Sequence, residues 1–228
     1  MRKNCVFKGH LGLGDNIIQQ GIVNKFHKMF DNCYVLCKHH NKPSVEHMNS
    51  ELPNVEVVSV GDDAEANNWV NTFDGEKILC GHTAKDWHLV LVGKRKFNQV
   101  FYDQVGLDAS EQYNWQPKEA TDPDVMKLIP GINERFIFVH EGGSSGKHLI
   151  NKEKISSDLP IVKPSINTPT IFHYLPLIRK AKEVHCIDSS FALMIDQCED
   201  IEDNLYWHRY ARCTQCSPKL KEKWNVIN

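Results

Sequence analysis

Residues 9–16 read Gly9-His10-Leu11-Gly12-Leu13-Gly14-Asp15-Asn16 and lie between an apolar stretch of strand type, 4–8, and a segment with helical periodicity, 17–30. Glycines at positions 9, 12 and 14 let a backbone turn tightly and approach a ligand. The helix that follows offers free N–H groups and the positive end of its dipole. A strand, a glycine loop and a helix in this order are typical of phosphate-binding sites in α/β enzymes.

The spacing of this loop argues against a dinucleotide site. It reads G-x-x-G-x-G-D, whereas dinucleotide-binding proteins have G-x-G-x-x-G. The region 34–39, where an acid that binds the ribose should end the second strand, closes with lysine and histidine instead. Asp15 is the more specific residue, because a carboxylate in the first helical turn can cap free N–H groups or can project into a cleft as a base. Both interpretations stay open on the residues alone.

Composition and charge exclude several classes of protein. The chain has 228 residues, of which 41% are hydrophobic and 25% charged, as in soluble globular proteins. Its net charge is −2 and its longest cationic run is Lys94-Arg95-Lys96, so we expect no nucleic-acid partner. No apolar stretch reaches the roughly 18 residues of a membrane span. The Met1-Arg2-Lys3 start leads into a strand rather than a secretory leader, so we predict a cytoplasmic protein.

The chain has eight cysteines. Four of them stand among aliphatic residues of predicted strands: Cys5, Cys37, Cys80 and Cys186. We expect these to be reduced, small apolar core residues. Cys213 and Cys216 have a metal-like spacing, but a zinc site needs four ligands and only Cys198 and His208 are near in sequence. We therefore predict no metal site.

Strand and helix signals alternate as in a parallel α/β sheet. In the first half we predict strands at 4–8, 33–38, 55–60 and 77–80, with helices at 17–30, 43–50, 63–69 and 97–106. In the second half we predict strands at 135–140, 159–163 and 183–187, a helix at 168–182 capped by Thr168, and an apolar helix after Ser190. The polar, proline-bearing segment 116–133 has the composition of a linker. The prediction is two Rossmann-like domains, 1–115 and 134–228, which face a cleft.

A second glycine loop follows the first strand of the second half. It reads Glu141-Gly142-Gly143-Ser144-Ser145-Gly146-Lys147-His148 and supplies backbone N–H groups, hydroxyls and positive charge. His148 stands where a Walker A motif has its magnesium-binding hydroxyl, which argues against ATP hydrolysis. A flexible surface loop is the alternative.

A third polar turn, Asp188-Ser189-Ser190, lies between a strand and an apolar helix. Open α/β sheets bind ligands at the carboxyl ends of their strands, which is where these side chains stand. Capping of the helix by Asp188 or Ser189 is compatible with that role.

In order and spacing these motifs resemble the heptosyltransferase-type glycosyltransferases of the GT-B fold. The resemblance rests on Gly12-Leu13-Gly14-Asp15 before a helix and on Ile187-Asp188-Ser189-Ser190 before Phe191-Ala192-Leu193. The chain resembles still more closely small glycosyltransferase-like proteins of bacteria, phages and large viruses. In these proteins His-x-Gly-Leu-Gly-Asp, Phe-Val-His-Glu and His-Cys-Ile-Asp-Ser-Ser recur, with Leu205-Tyr206-Trp207-His208 near the end. The chain departs from heptosyltransferases after Asp188, where they usually continue with glycine, proline and histidine.

The resemblance implies a hexosyl- or heptosyl-type transferase. The C-terminal half would bind a nucleotide-sugar donor, and the N-terminal half a glycan or other hydroxyl acceptor. The general base proposed for heptosyltransferases falls on Asp15, and a carboxylate can take the acceptor proton. The other acceptor-side candidates are His10, Gly12, Gly14, Asn16 and Gln19. The donor and phosphate candidates are His140, Glu141, Ser144, Ser145, Gly146, Lys147, Asp188, Ser189 and Ser190.

The resemblance has further implications. Because serines, a lysine and a helix start would meet the charge of the leaving group, we expect no metal and no cofactor besides the nucleotide-sugar substrate. The chain is short for two GT-B domains, so we expect trimmed peripheral helices or a homodimer. The expected location is the cytoplasm, or the host cytoplasm if the protein is viral. Two other classes stay open: a non-catalytic nucleotide- or sugar-binding module, and a Rossmann-type NAD-dependent enzyme.

Overall fold

The computed structural model describes residues 4–129, 131, 135–144, 146–155, 157–211 and 217–228. The chain divides into two compact units, Met1–Gln116 (unit 1) and Pro117–Asn228 (unit 2). In the part of the chain that the structure describes, no helix has the length and apolar character needed to cross a membrane.

Unit 1 is a parallel sheet with the strand order β3-β2-β1-β4. Its strands are β1 (Cys5–Lys8), β2 (Cys33–Lys38), β3 (Val55–Val60) and β4 (Glu76–Leu79). Its helices are α1 (Leu13–Phe26), α2 (Lys42–Met48), α3 (Asp63–Thr72), α4 (Ala84–Leu91) and α5 (Phe97–Gln104). One face of the sheet packs on α3, burying Val6, Leu36 and Val60 with Ala66 and Val70.

Unit 2 has a second parallel sheet, with the order β11-β10-β9-β5-β8, and a small antiparallel hairpin, β6-β7. Its strands are β5 (Ile137–His140), β6 (Gly142–Gly143), β7 (Gly146–Lys147), β8 (Ile161–Val162), β9 (Glu183–Ile187), β10 (Leu205–His208) and β11 (Trp224–Ile227). Its helices are α6 (Pro123–Met126), α7 (Leu175–Lys180) and α8 (Ser190–Gln197). One of its core clusters contains Ile137, Val139, Ile150 and Ile187.

In each sheet the order in which the chain adds its parallel strands reverses at one strand, which we call the reversal point. In unit 1 the chain builds β1, β2 and β3 in one direction and then returns to place β4 on the other side of β1. In unit 2 it places β8 beside β5 and then β9 on the opposite side of β5. Ligands of open α/β sheets bind beyond the carboxyl ends of the strands at such a reversal. The first and second glycine loops and the Asp188-Ser189-Ser190 turn all follow strands at these two reversal points.

Several predicted boundaries were wrong. Helix α1 begins at Leu13 rather than 17, because Gly12 takes the extended N-cap conformation, and it ends at Phe26 before a 3-10 turn. Helix α4 was not predicted, although a capping box between Thr83 and Asp86 marks its start.

The predicted cap at Thr168 was also wrong. Its hydroxyl donates to the carbonyl of Thr170, and Thr170 caps a 3-10 turn that leads into α7. The predicted strand 159–163 is reduced to β8. The segment 116–133 contains α6, whose Val125 is fully buried, so part of the expected linker packs into unit 2.

The cysteines of the predicted strands are free and buried, as predicted: Cys5, Cys37, Cys80 and Cys186. Burial raises the pKa of Cys37 to about 11 and that of Cys80 to about 12. These thiols are therefore protonated near neutral pH and act as small core residues. Cys213 and Cys216 lie outside the described residues.

Candidate functional site

In unit 1 the carboxylate of Asp15 stands beside the first glycine loop. Asp15 is the third residue of α1, and its side chain is 25% exposed. Its Oδ1 lies 3.9 Å from Nδ1 of His10. A Cβ atom at Gly12 would come within 2.5 Å of Asp15 Oδ2, so the carboxylate folds back over the glycine. The structure thus brings Asp15, His10 and Gly12 together while leaving the carboxylate partly open to solvent.

His10 presents an N–H group toward that carboxylate. The backbone N–H of His82 donates to Nε2 of His10 at 3.0 Å, so this nitrogen is an acceptor. A neutral imidazole carries one proton, which must then sit on Nδ1, the nitrogen nearer Asp15. Burial lowers the pKa of His10 and favours this neutral form. His10 is thereby fixed as a neutral donor directed at Asp15.

His82 follows β4 and closes the reversal point of unit 1. Its Nε2 pairs with the carbonyl oxygen of Phe97 at 3.0 Å, and its ring stacks on the Phe97 ring at 4.4 Å. Burial, followed by the nearby His10, lowers the pKa of His82 to about 4. The side-chain amide of Gln104 holds the turn, since it both donates to and accepts from the backbone of Gly81 at 2.7 Å. Sequence reasoning did not identify His82, although a Gly-His-Thr sequence after a strand was a usable signal.

Asn16 and Gln19 lie beneath the first glycine loop. Asn16 is buried, and its amide donates to the carbonyl of Gly12 at 2.8 Å. Gln19 is 1% exposed, and a Cβ at Gly9 would stand 1.7 Å from its Oε1. At Gly9 and Gly12 the space that a Cβ atom would occupy is taken by side chains of α1. Neither glycine has a positive φ. These glycines therefore serve close packing rather than a left-handed turn, and Gly14 simply continues α1.

In unit 2 a histidine bridges the two strands at the reversal point. His140 ends β5, and its Nδ1 lies 3.0 Å from the Ser189 hydroxyl, which caps α8. The His140 ring stacks on Phe191 at 4.1 Å. Burial lowers the pKa of His140 to about 4, so the ring is neutral at physiological pH. The structure thus joins the predicted residues of β5 and β9 in one network.

Glu141 closes the second glycine loop. Its carbonyl accepts from His148 N–H at 2.8 Å, and its Oε1 accepts from Ile150 N–H at 2.9 Å. Its Oε2 lies 2.6 Å from the Lys163 ammonium and 3.9 Å from that of Lys147. Burial opposes ionisation of Glu141, but Lys163, the Ile150 N–H group and Lys147 outweigh it and lower the pKa of the carboxyl. Glu141 is therefore paired closely with Lys163 and, at longer range, with Lys147.

The cationic groups of this site are accessible. The side chains of Lys147 and Lys163 are 64% and 40% exposed, whereas that of Glu141 is 6% exposed. Lys163 directly follows β8, the strand beside β5. Sequence reasoning did not identify it, because the predicted strand 159–163 carries no local signal that it pairs with β5 and ends next to Glu141.

The remaining predicted residues frame the same edge. Gly146 has a φ of +113° and pairs with Gly143 in the β6-β7 hairpin, so here a glycine is required by backbone conformation. Ser190 is the first residue of α8, directly after Asp188 and Ser189. Ser144 lies in the turn between β6 and β7, whereas Ser145 lies outside the described residues.

Among residues 4–129, 131, 135–144, 146–155, 157–211 and 217–228, no group of three or more His, Cys, Asp or Glu side chains is arranged to hold a metal ion. Unit 1 offers a carboxylate and a neutral imidazole donor. Unit 2 offers ammonium groups, a serine hydroxyl and a helix N-terminus, which suit a phosphate-bearing ligand.

Comparisons with known proteins place the fold. No family model matches the chain, and no curated protein matches it. The structure is similar to that of a family 9 glycosyl transferase from Veillonella parvula DSM 2008, with a TM-score of 0.59, 8% sequence identity, and coverage of 99% of this chain and 86% of that one. It is also similar to E. coli ADP-heptose LPS heptosyltransferase II, with a TM-score of 0.53, 11% identity, and coverage of 99% and 90%. The predicted fold class is confirmed: the chain has an α/β fold with parallel sheets that matches GT-B glycosyltransferase structures.

Proposed function

We propose that the protein is a glycosyltransferase that moves a hexosyl or heptosyl group from a nucleotide-sugar donor to a hydroxyl group of a glycan or other acceptor. The observation that carries this proposal is the pairing of Lys147 and Lys163 with Glu141, the residue after His140, whose ring contacts the Ser189 cap of α8. The fold match to two glycosyltransferase structures supports it. One of these is named for ADP-heptose, a nucleotide-sugar.

Unit 2 would bind the donor. When the bond between the sugar C1 and the phosphate oxygen breaks, the leaving nucleoside diphosphate gains negative charge. Exposed ammonium groups and the first N–H groups of α8 can stabilise this charge, and they favour it more as it develops. The lysines and the helix start supply the positive charge by themselves, so the proposed reaction uses no metal ion.

Unit 1 would supply the base. The acceptor oxygen forms the new bond to the sugar C1, and its proton must pass to a nearby group. Asp15 is partly exposed and ionisable, so it can accept this proton. Nδ1 of His10 lies 3.9 Å from a carboxylate oxygen of Asp15, too far for a direct hydrogen bond, and is a neutral neighbour of the proposed base.

Ligand screening tests the donor assignment. Thermal unfolding would be measured with UDP, GDP, ADP, CMP and dTDP in buffer containing EDTA, with the matching nucleosides as controls. A ligand at 100 times its dissociation constant stabilises the folded state by about 2.7 kcal/mol. We expect one phosphorylated ligand to raise the melting temperature and its nucleoside to have a much smaller effect.

The corresponding nucleotide-sugars are then tested for transfer, by release of the nucleoside diphosphate and the mass of the glycosylated acceptor. The proposal is wrong if no phosphorylated ligand binds. It is also wrong if the purified protein shows the absorbance of bound NAD, which would indicate an enzyme of another class.

A further inference from the structure

A chain of hydrogen bonds runs through unit 2 to the exit of the second glycine loop. It begins at the Glu183 carboxylate, 3.2 Å from Nε2 of His185. Nδ1 of His185 lies 2.9 Å from Nε2 of His208, and Nδ1 of His208 lies 3.1 Å from the Tyr210 hydroxyl. The Tyr210 hydroxyl accepts from the backbone N–H of Asn151 at 2.7 Å. The two histidines are 1% and 0% exposed, so neither contacts solvent.

The donor and acceptor capacity of each group fixes which atom donates in every hydrogen bond from Glu183 to Tyr210. The Glu183 carboxylate only accepts, so His185 carries its proton on Nε2 and its Nδ1 is an acceptor. His208 must then donate from Nε2, which leaves its own Nδ1 to accept from the Tyr210 hydroxyl. The Tyr210 oxygen remains free to accept from Asn151. Every donor meets an acceptor, and both histidines are neutral with the same tautomer.

The burial of both rings agrees with this assignment. Burial lowers the pKa of His185, and burial, followed by His185 and Lys154, lowers the pKa of His208 to about 4. The His185 ring also stacks on Tyr206 at 4.5 Å with an angle of 10° between the rings. The hydroxyl of Tyr210 is therefore paired with the nearer of two buried, hydrogen-bonded rings, His208 and His185.

The far end of the chain is the second glycine loop. Ile150 N–H is held by Glu141, and Asn151 N–H, the next one along, is held by Tyr210. Asn151 also caps the following 3-10 turn, because its Oδ1 accepts from Glu153 N–H at 3.0 Å. Two consecutive backbone N–H groups at the end of the loop are thus held by side chains. One is Glu141, at the start of the loop, and the other is Tyr210, in the segment after β10.

We propose that Tyr210, oriented by His208, His185 and Glu183, is a positioning residue that fixes the exit of the second glycine loop. Its effect on donor binding rests on the function proposed above, whereas its effect on the loop does not. Tyr210 touches neither donor nor acceptor in this role. It acts through Asn151 on the segment that carries Lys147.

The first test measures the histidine tautomers of the wild-type protein. Nitrogen-15 chemical shifts at pH 7 are expected to show the Nε2–H tautomer for both His185 and His208. An Nδ1–H tautomer at either residue overturns the proposed direction of the chain. This measurement requires no variant and no ligand.

The second test measures hydrogen exchange at the Asn151 amide. Tyr210→Phe removes the acceptor, so we expect exchange to accelerate by about tenfold, the equivalent of one hydrogen bond. Tyr206→Phe is the matched control, because its hydroxyl is outside the chain, and exchange should not change. His208→Gln keeps one donor and one acceptor and should leave exchange near the wild-type rate, whereas His208→Leu should accelerate it.

The third test measures affinity for the nucleoside diphosphate that stabilises the wild type. Tyr210→Phe is expected to weaken binding several-fold, while Tyr206→Phe binds as the wild type does. If wild-type protein binds no nucleoside diphosphate, the proposed function fails and the exchange rates still decide the positioning role. If it binds one and Tyr210→Phe changes neither exchange nor affinity, the positioning role is overturned and the proposed function stands.

Discussion

The reversal points of the two sheets are built alike but carry different charges. In unit 1 the ring of His10 accepts from the backbone after β4, and in unit 2 the ring of His140 pairs with the hydroxyl after β9. Both rings are neutral because burial lowers their pKa. Beside His10 stands the carboxylate of Asp15, whereas beside His140 a buried carboxylate is covered by two lysines. The same scaffold thus presents a partly exposed carboxylate in one unit and exposed ammonium groups in the other.

This difference suggests a division of labour in the proposed reaction. A transferase needs a base for the acceptor proton and positive charge for the leaving diphosphate, and one small site serves both needs poorly. A free carboxylate beside the donor would repel phosphate. Glu141 avoids that repulsion because Ile150 N–H and Lys163 occupy its oxygens.

The largest effect is expected from Asp15→Asn in unit 1. The amide cannot take a proton, so turnover should fall by about 10²- to 10⁴-fold, the usual contribution of a general base. Affinity for the nucleoside diphosphate and the melting temperature should stay near wild type. Initial rates and ligand titrations check this, with the exposed Asp31→Asn as the control. Unchanged turnover would show that Asp15 only supports the start of α1.

Substitution of the lysines of unit 2 should weaken binding of the nucleoside diphosphate, which Asp15→Asn leaves unchanged. Lys163→Gln removes the closest partner of the buried Glu141 carboxylate, so it should lower the free energy of unfolding by about 1–3 kcal/mol. Lys147→Gln should hardly affect stability, because Lys147 is 64% exposed and 3.9 Å from Glu141. Each should weaken nucleoside diphosphate binding by about tenfold, as expected for loss of a charge-assisted contact. Equal binding by wild type and both variants would place the diphosphate elsewhere.

Acid should destabilise unit 2 more steeply than unit 1. Burial lowers the pKa of three histidines in unit 2 (His140, His185, His208) and of two in unit 1 (His10, His82). Above about pH 6.5 these groups are neutral in both folded and unfolded states. Below it the unfolded chain binds protons that the folded chain does not, so stability falls, and for the groups near 4 the loss continues to about pH 4.

Each histidine contributes at most about 1.4 kcal/mol per pH unit to this loss. Residue-resolved hydrogen exchange between pH 6.5 and 5, above the range of most carboxyl groups, should show the steeper decline in unit 2. His140→Asn removes one titrating ring and should reduce the slope there. Equal slopes in the two units would overturn this prediction.

Much of the fold followed from the sequence, because its strands are local apolar runs. The bounds of β2, β3 and β9 agree with the predictions, since each run is closed by polar residues. Helix α4 was missed although the capping box of Thr83 and Asp86 is a local signal, whereas strand β11 was missed because tertiary contacts fix it. The β11 segment is fixed by Trp224 Nε1, which donates to Asp196 at 3.0 Å, and by Lys223, whose ammonium reaches carbonyls at the end of α8.

The candidate site was predictable as a set of loops but not as a network. The glycine and serine motifs identified the ends of β1, β5 and β9, and within unit 2 the side chains that follow β5 and β9 meet at His140 and Ser189. The partners that complete them, His82 and Lys163, come from β4 and β8. Which strands are neighbours is set by the return of the chain across β1 and β5, and a single sequence carries no local signal for that return.

The glycines of the two loops give the final test. Gly12 has φ −68° and ψ 148°, which alanine also adopts, but its Cβ would stand 2.5 Å from Asp15 Oδ2. Because that carboxylate is partly exposed, it can rotate away, so Gly12→Ala should change the free energy of unfolding by less than about 0.5 kcal/mol. The displaced base should lower turnover, by less than Asp15→Asn does, with diphosphate affinity unchanged.

In Gly142→Ala the new Cβ would stand 3.3 Å from Nε2 of His140, whose ring is stacked on Phe191. We expect Gly142→Ala to weaken diphosphate binding slightly. If both variants lowered turnover alone, or both weakened binding alone, the two glycine loops would not have the separate roles proposed for them.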